Sequence, residues 1–529
     1  MKKLILAIFL TLAFAIFGKE VKLVFLETSD IHGRLFSYDY AVGEQQANNG
    51  LTRIATLVKQ QRAENKNVIL IDNGDLLQDN SAELFNDEPV HPLVRAQNDM
   101  KYDIHVLGNH EFNFSKDFLE RNIKGFNGDT VTANVIKTSD NKPFVKPYVI
   151  KKIDGVRVAI VGYLVPYIPT WEASTPDHFE GLKFLGAEET LKNTLKELEG
   201  KYDVLIGAFH LGREDEKGKD GIPELAKKFP QFDIIFAGHE HAVYNTEIGK
   251  VHTIEPGAYG TYLAKGVVTY DTKTKKKTVT TENLSTKDVP EDEELVKKYE
   301  YVDKKSKEYA EEVVGEVTKT FIDRPDFITG EDKITSMPTA TLQETPVIEL
   351  INKVQKHYAK ADVSAAALFN FGSNLKKGPF KRKDVAYIYK YTNTLIGVNI
   401  TGENLLKYME WSYSFYNQLQ PGDLTISFNE NIRGYNFDMF SGVKYKVDVT
   451  AGHRIVNPTI NGKPIDPKAT YKLAVNNYRF GTLSTLKLVT DADKYYDSYD
   501  ELQDGGRMRD LIIKYISEEK GGKVTPELD

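Results

Sequence analysis

Five short segments bring imidazole, carboxylate and amide side chains together in patterns suited to binding cations: Asp30-Ile31-His32, Gly74-Asp75, Gly108-Asn109-His110-Glu111, His210 and Gly238-His239-Glu240-His241. They contain five of the chain's eleven histidines, too large a share for random scatter. Imidazole and carboxylate donors suit Zn, Mn, Fe, Co or Ni, whereas a chain without cysteine cannot build a thiolate zinc site. The donors suffice for two ions. Asp75 stands in the middle of the set, and a carboxylate has two oxygens, so it is the natural bridge. Two ions about 3.5 to 4 Å apart can activate water and clamp a phosphoryl group for in-line displacement.

Each segment follows directly on a short apolar, β-branched or aromatic run: Lys22 to Thr28, Asn67 to Asp72, Tyr102 to Leu107, Tyr202 to Phe209 and Phe232 to Ala237. These runs predict buried strands, several of them separated by helical patterns. Open α/β sheets place their sites outside the carboxyl ends of such strands, which is where all five segments fall.

The ordered motifs D-x-H, GD, GNHE, H and GHxH resemble those of the dinuclear metallophosphoesterases, and the second half is similar to the C-terminal domain of the periplasmic 5'-nucleotidases. The resemblance covers nearly the whole chain after its first residues. It implies an α/β fold, a four-layer αββα metallophosphoesterase sandwich followed by a smaller α/β 5'-nucleotidase C-terminal domain. It also implies two divalent metal ions (Mn, Zn, Co or Fe). Asp30, His32, Asp75 and His241 would hold one, and Asp75, Asn109, His210 and His239 the other. His110 would be the catalytic acid touching the phosphate or its leaving oxygen, with Asn109 beside it.

At 529 residues the chain is long enough for two domains, each with its own core. Lys2 and Lys3 precede an apolar run, Leu4 to Phe17, too short to span a bilayer comfortably; residues 1–18 are expected to be a signal peptide and the protein to be periplasmic or secreted. No later segment is long and apolar enough to be transmembrane. A net charge of −7, with 27% charged residues, gives no support to duplex nucleic acid as a partner, while small anions remain compatible through local metal charge. A monomer acting on nucleotides and nucleoside phosphates is expected.

The catalytic half should run from about Val21 to Leu284, and residues 19–322 are assigned to the first domain. Pro290 to Val317 reads as one exposed charged helix with dipole-compatible ends. The polar stretch 323–341, with Pro325, Gly330 and Pro338, is the expected linker, and 342–529 the second domain, opening on an amphipathic helix from Pro346.

The second domain lacks a comparable set of metal donors, so substrate holding is its expected role. Tyr387, Tyr389 and Tyr391 alternate along an apparent strand ending at Thr392-Asn393-Thr394, and Asn476-Asn477-Tyr478-Arg479 follows a strand from Tyr471 to Val475. The resemblance implies that Tyr391 and Tyr478 sandwich a nucleobase and that Asn393 contacts it. A tyrosine face stacks any base, at about 1 to 3 kcal/mol each. Glu403 to Asn417 reads as a core helix, and Tyr435 to Asp448 as a strand pair without a catalytic role.

Three departures from the 5'-nucleotidase pattern point in one direction. His110 is followed three residues later by Asn113 in place of Asp, so the partner can fix the ring by hydrogen bonding but cannot favour the imidazolium by charge. Asn370 to Asn374 lacks the Gly-Gly-x-Arg signature, and Gly481-Thr482-Leu483 stands where Gly-Gly-Asp is usual. Together with GNHEFN, YNFD and NNYR, they resemble the 2',3'-cyclic-nucleotide 2'-phosphodiesterase/3'-nucleotidase branch. A 5'-nucleotidase with the same metals is the alternative, followed by a nucleotide-binding surface protein without turnover.

Overall fold

The computed structural model describes residues 19–173, 175–213 and 221–528. The expected signal peptide, residues 1–18, lies outside them. The described chain divides into two compact units. The first takes most of the chain up to Ser306; the second takes Lys307 onward together with the short stretches Tyr40–Gly43 and Pro169–Pro176. Among the described residues no helix is long and apolar enough to cross a membrane.

The first unit is built on two six-stranded sheets. In chain order, β1 (Glu20–Thr28), β2 (Val68–Asp72), β3 (Ile104–His105) and β4 (Asp129–Thr130) pair in parallel as the start of one sheet. The other sheet follows with β5 (Tyr148–Ile153), β6 (Val156–Leu164), β7 (Val204–His210), β8 (Ile234–Ala237), β9 (Val243–Ile248) and β10 (Val251–Pro256), in the order β9-β10-β8-β7-β6-β5. β11 (Tyr262–Asp271) and β12 (Lys277–Ser285) then return to the first sheet, where β11 lies antiparallel to β1.

Alternation along β1 explains the continuous apolar run Leu23 to Leu26. Leu23 and Phe25 join Ile69, Ile71, Ile160, Ile206 and Phe236 in the layer between the sheets. Val24 and Leu26 pack the other way, with Leu51, Ile54 and Val58 of α1 (Leu51–Glu64) and Leu93 and Val94 of α2 (Pro92–Asp99). Burying both faces makes the run continuous, as in parallel sheets generally, and each such side chain contributes about 1.5 to 3 kcal/mol. The strand ends at Thr28 because Asp30 and His32 take left-handed backbone, at φ 54° and 46°.

The charged segment read as one exposed helix from Pro290 to Val317 is three elements: helices Glu293–Lys298 and Glu300–Ala310, then strand Val313–Val317. Leu295, Tyr299 and Val302 are buried against the first unit's core, so this face is apolar despite its charged surroundings.

The second unit has its own core around a five-stranded sheet of β13 (Val363–Ala367), β14 (Leu395–Thr401), β15 (Asp438–Ser441), β16 (Thr470–Asn476) and β17 (Lys494–Asp497), in the order β15-β13-β16-β14-β17. The amphipathic helix Pro346–Ala359 begins on its proline and stops where Lys360 turns left-handed. Residues 323–341, expected as a linker, are folded into this unit. Asp326 is 1% exposed and accepts the N–H groups of Ile328, Thr329, Thr335 and Ser336 and the hydroxyls of Thr335 and Ser336.

Three further expectations change. The alternating tyrosines do not form a strand: Arg382–Ile388 is helical, with Asp384 accepting the Lys381 N–H at its start, so Tyr387 is helical and Tyr389 and Tyr391 follow it. The core helix read as Glu403 to Asn417 is Gly402–Tyr413. Tyr435 to Asp448 holds two strands that do not pair with each other; Asp438–Ser441 lies beside β13, and Lys444–Val447 pairs with Ile455–Ile460.

Candidate metal centre

All five segments flagged by donor chemistry meet at the carboxyl ends of β1, β2, β3, β7 and β8. The turns after β1 and β2 stay zipped beyond the sheet: Asp30 N–H donates to the Gly74 carbonyl at 2.9 Å and His32 N–H to that of Asp75 at 2.9 Å. Five of the seven expected ligands, Asp30, His32, Asp75, His239 and His241, have positive φ. Such backbone costs about 1 to 3 kcal/mol per residue and persists only where the surroundings over-determine it, which makes its concentration here a mark of function.

Two glycines in the motifs answer to close approach. A Cβ on Gly108 would lie 2.2 Å from Asp75 Oδ1, and one on Gly238 would lie 2.1 Å from Ser29 Oγ. The G in GN leaves room for the Asp75 carboxylate, and the G in GH for the Ser29 hydroxyl that donates to Asp30.

Three donor clusters form: Asp30, His32 and His241; His32, Asp75 and His110; and Asp75, His210 and His239. His241 Nε2 lies 3.3 Å from Asp30 Oδ1 and 3.0 Å from His32 Nε2. On the other side, His210 Nε2 lies 3.2 Å from Asp75 Oδ2 and 3.1 Å from Asn109 Oδ1, with His239 Nδ1 2.8 Å from that same amide oxygen. Donors bonded to one ion at about 2.0 to 2.2 Å stand about 2.8 to 3.6 Å apart, so these spacings match neighbours in a coordination shell. Asp75 belongs to both sides. Asp30 Oδ1 is fully buried and makes no regular hydrogen bond, its neighbour being the His241 imidazole at 3.3 Å, as expected of an oxygen and a ring nitrogen that can share a cation. The residues present fit two divalent ions.

The expected ligands are aimed by neighbours. His32 Nδ1 is held by Gln78 Oε1 at 3.0 Å and His210 Nδ1 by the Asn73 carbonyl at 2.7 Å, which leaves Nε2 of each ring toward the cluster. Asp30 Oδ2 accepts the Ser29 hydroxyl and the His239 N–H. His110 N–H donates to Asp75 Oδ1 at 2.8 Å, and its ring Nδ1 meets Asn113 Oδ1 at 2.5 Å. Motif reading gave no role to Glu111, Gln78 or Asn73. Glu111 is 1% exposed and its carboxylate accepts the N–H groups of Asp75, Leu76 and Gly108, tying the β2 and β3 turns together. Its place in GNHE was the only signal.

Burial opposes ionisation of Asp30 and Asp75, but facing imidazoles outweigh it. His241 and His210 bring Asp30 down to about 2, and His210 and His110 hold Asp75 well below the usual carboxylate range. Burial likewise disfavours the His210 imidazolium, yet Asp75 and Asp30 raise it to about 10. Burial and the adjoining His241 lower His32 to about 3. The site is a sink of negative charge that cations can fill on displacing protons.

In the second unit the loop after helix Arg382–Ile388 and the start of helix Asn477–Thr485 adjoin: Thr394 N–H donates to Asn477 Oδ1 at 3.2 Å, and Asn477 N–H to the Thr394 carbonyl at 3.0 Å. Tyr391 and Tyr478 are both half-buried; Tyr391 packs edge-on to Phe369 with centroids 4.8 Å apart. Asn393 Nδ2 and Asn476 Nδ2 both reach the Tyr389 hydroxyl, at 3.5 and 3.2 Å.

Residues 23–243 match the calcineurin-like phosphoesterase family and residues 314–488 the 5'-nucleotidase C-terminal domain. The trifunctional nucleotide phosphoesterase protein YfkN of Bacillus subtilis is 30% identical over 96% of this chain, which spans 38% of that protein's length. The 2',3'-cyclic-nucleotide 2'-phosphodiesterase/3'-nucleotidase of Haemophilus influenzae is 29% identical over 96% of this chain and 87% of its own. A solved Staphylococcus aureus structure shares the fold with a TM-score of 0.82, at 24% identity, covering 94% of this chain and 97% of that one. The chain joins a calcineurin-like phosphoesterase domain to a 5'-nucleotidase C-terminal domain, and the relatives it resembles over most of its length are hydrolases.

Proposed function

We propose that this enzyme hydrolyses nucleotide phosphoesters, converting 2',3'-cyclic nucleotides to 3'-nucleotides and these to nucleoside and orthophosphate, in extracytoplasmic nucleotide scavenging. The observation that carries the phosphoesterase reading is the set of three overlapping donor clusters linked through His32 and Asp75, the middle one including His110. Asp30, His32, Asp75 and His241 would hold one ion, and Asp75, Asn109, His210 and His239 the other. Two divalent ions held there supply Lewis acidity, activating water and neutralising charge on phosphoryl oxygens.

The protein's own groups then divide the work. Glu111 fixes the turns that carry Asp75 and Asn109. Asn113 engages His110 Nδ1, leaving Nε2 to deliver a proton to the departing ribose oxygen. In the first hydrolysis water joins phosphorus, the bond from phosphorus to O2' breaks and O2' takes the proton; in the second the bond to O3' breaks in the same way. Tyr391, Tyr478 and Asn393 hold the base.

Two structural features support the cyclic and 3' substrates. His110 has an amide partner in place of a carboxylate. The Asn370 to Asn374 turn offers no arginine: Asn370 Oδ1 closes its own turn on the Gly372 N–H, and the Asn374 side chain is spent on both backbone groups of Ile322. The 29% identical Haemophilus influenzae protein agrees with this branch. We expect kcat/KM for 2',3'-cyclic AMP and 3'-AMP at least about tenfold above 5'-AMP, about 1.4 kcal/mol in transition-state binding. A panel of the three substrates on purified protein decides it, and the reverse preference makes the enzyme a 5'-nucleotidase.

A further inference from the structure

Arg479 is 2% exposed, and its guanidinium faces the short segment Tyr435 to Asp438, with Nη1 also donating to Thr482 Oγ1 at 3.3 Å. Nε lies 2.5 Å from Asp438 Oδ2, Nη1 donates to Asn436 Oδ1 at 3.2 Å, and Nη2 donates to the Tyr435 carbonyl at 3.0 Å. Asp438 is equally buried and also accepts the Tyr408 hydroxyl at 2.8 Å, while its N–H donates to Ser412 Oγ. The guanidinium lies over the Trp411 ring, 4.9 Å from its centroid. An ion pair this deep adds little to stability relative to an apolar replacement, since desolvation offsets the attraction, but a planar fork fixes geometry.

That geometry concerns two tyrosines. Arg479 directly follows Tyr478, and its fork ends on the turn Gly434–Asn436 that carries Tyr435. The Tyr435 and Tyr478 rings stand 6.1 Å apart at 81°, making a corner, and both are half-buried. The turn is pressed against a third aromatic: a Cβ on Gly434 would come within 2.8 Å of the Phe371 ring. Tyr435 thus sits on a backbone clamped from two sides. A flat base lying on Tyr478 would meet a second ring edge-on, an arrangement aromatic groups favour.

We propose that Tyr435 is a further nucleobase-binding residue, the edge wall of the corner it makes with Tyr478, and that Arg479 is the positioning residue holding the two rings at right angles. This rests on the nucleotide reading above. The probe is adenosine, a product nucleoside, titrated calorimetrically into metal-loaded full-length protein, with KM and kcat measured in parallel on 3'-AMP. Tyr435→Leu is expected to weaken adenosine about 3- to 10-fold and to raise KM by a similar factor with kcat held, while Tyr435→Phe, which keeps the ring, stays within about twofold of wild type. Arg479→Lys leaves a charge for Asp438 but loses the fork, and is expected to weaken adenosine about as much as Tyr435→Leu. A melting curve establishes that it folds; if it does not, the Tyr435 pair decides. Tyr478→Ala separates the two readings. If it weakens adenosine and the Tyr435 variants do not, the corner is overturned and the nucleotide site stands; if none of them changes adenosine binding, the nucleotide reading falls, and the inference with it.

Discussion

Among single residues, Asp75 has the most to do: it faces His32 and His210, accepts the His110 N–H and is itself held through its backbone by Glu111. Replacing it by Asn keeps the shape and the acceptor for His110 but removes the charge that two cations would share. Asp75→Asn is expected to lower kcat/KM by about 1000-fold or more, the several kcal/mol that metal stabilisation supplies, and to lower metal content measured by elemental analysis. The melting temperature of the metal-free protein should fall, because His210 and His110 stabilise the ionised Asp75 carboxylate and lose it in the variant. A variant with two bound ions and near wild-type turnover would remove Asp75 as the bridge.

At the scale of elements, the stretch 323–341 is held by one carboxylate. Six donors converge on Asp326 and depress its pKa, with the Thr335 hydroxyl the largest contributor, against the opposing effect of desolvation. A depressed folded-state pKa stabilises the fold at pH values above the unfolded value, about 3.9 for Asp, and that stabilisation is lost as pH falls below it. Asp326→Asn should therefore melt below wild type at pH 7, with the gap closing as pH drops from about 4 downward. A gap independent of pH would mean that the hydrogen bonds, and not the charge, hold the segment. The same stretch shows why composition misled: Pro, Gly and polar residues describe a loop, and only its partners reveal whether it is anchored.

For the whole molecule, the metal donors belong to the first unit and the expected base-holding residues to the second. If chemistry and recognition divide this way, Tyr391→Ala should lower nucleotide kcat/KM by about 10- to 100-fold, the size of one lost stacking interaction, and barely change hydrolysis of a small aryl phosphoester. Equal losses on both substrates would place Tyr391 in the phosphoryl chemistry.

Much of the centre was legible in the chain itself. Donor types and their position after apolar runs depend only on local order, and strands buried on both faces write themselves as continuous apolar segments; hence the five donor-bearing segments that the fold brings together, and their strands, could be read directly. Periodicity was less reliable: tyrosines at every second position suggested a strand at 387–391, where the Asp384 carboxylate at the helix start and the packing of Val385 and Ile388 into the core favour a helix. Tertiary structure alone decided what depends on approach between distant segments. Glu111 became the tie between two turns, Gln78 and Asn73 the aim of two imidazoles, and Asp438 the partner of Arg479, forty-one residues away in the chain. A side chain's chemistry is written in its residue type, but which atom it faces is set by the packing of elements far apart in sequence, and no local pattern encodes that.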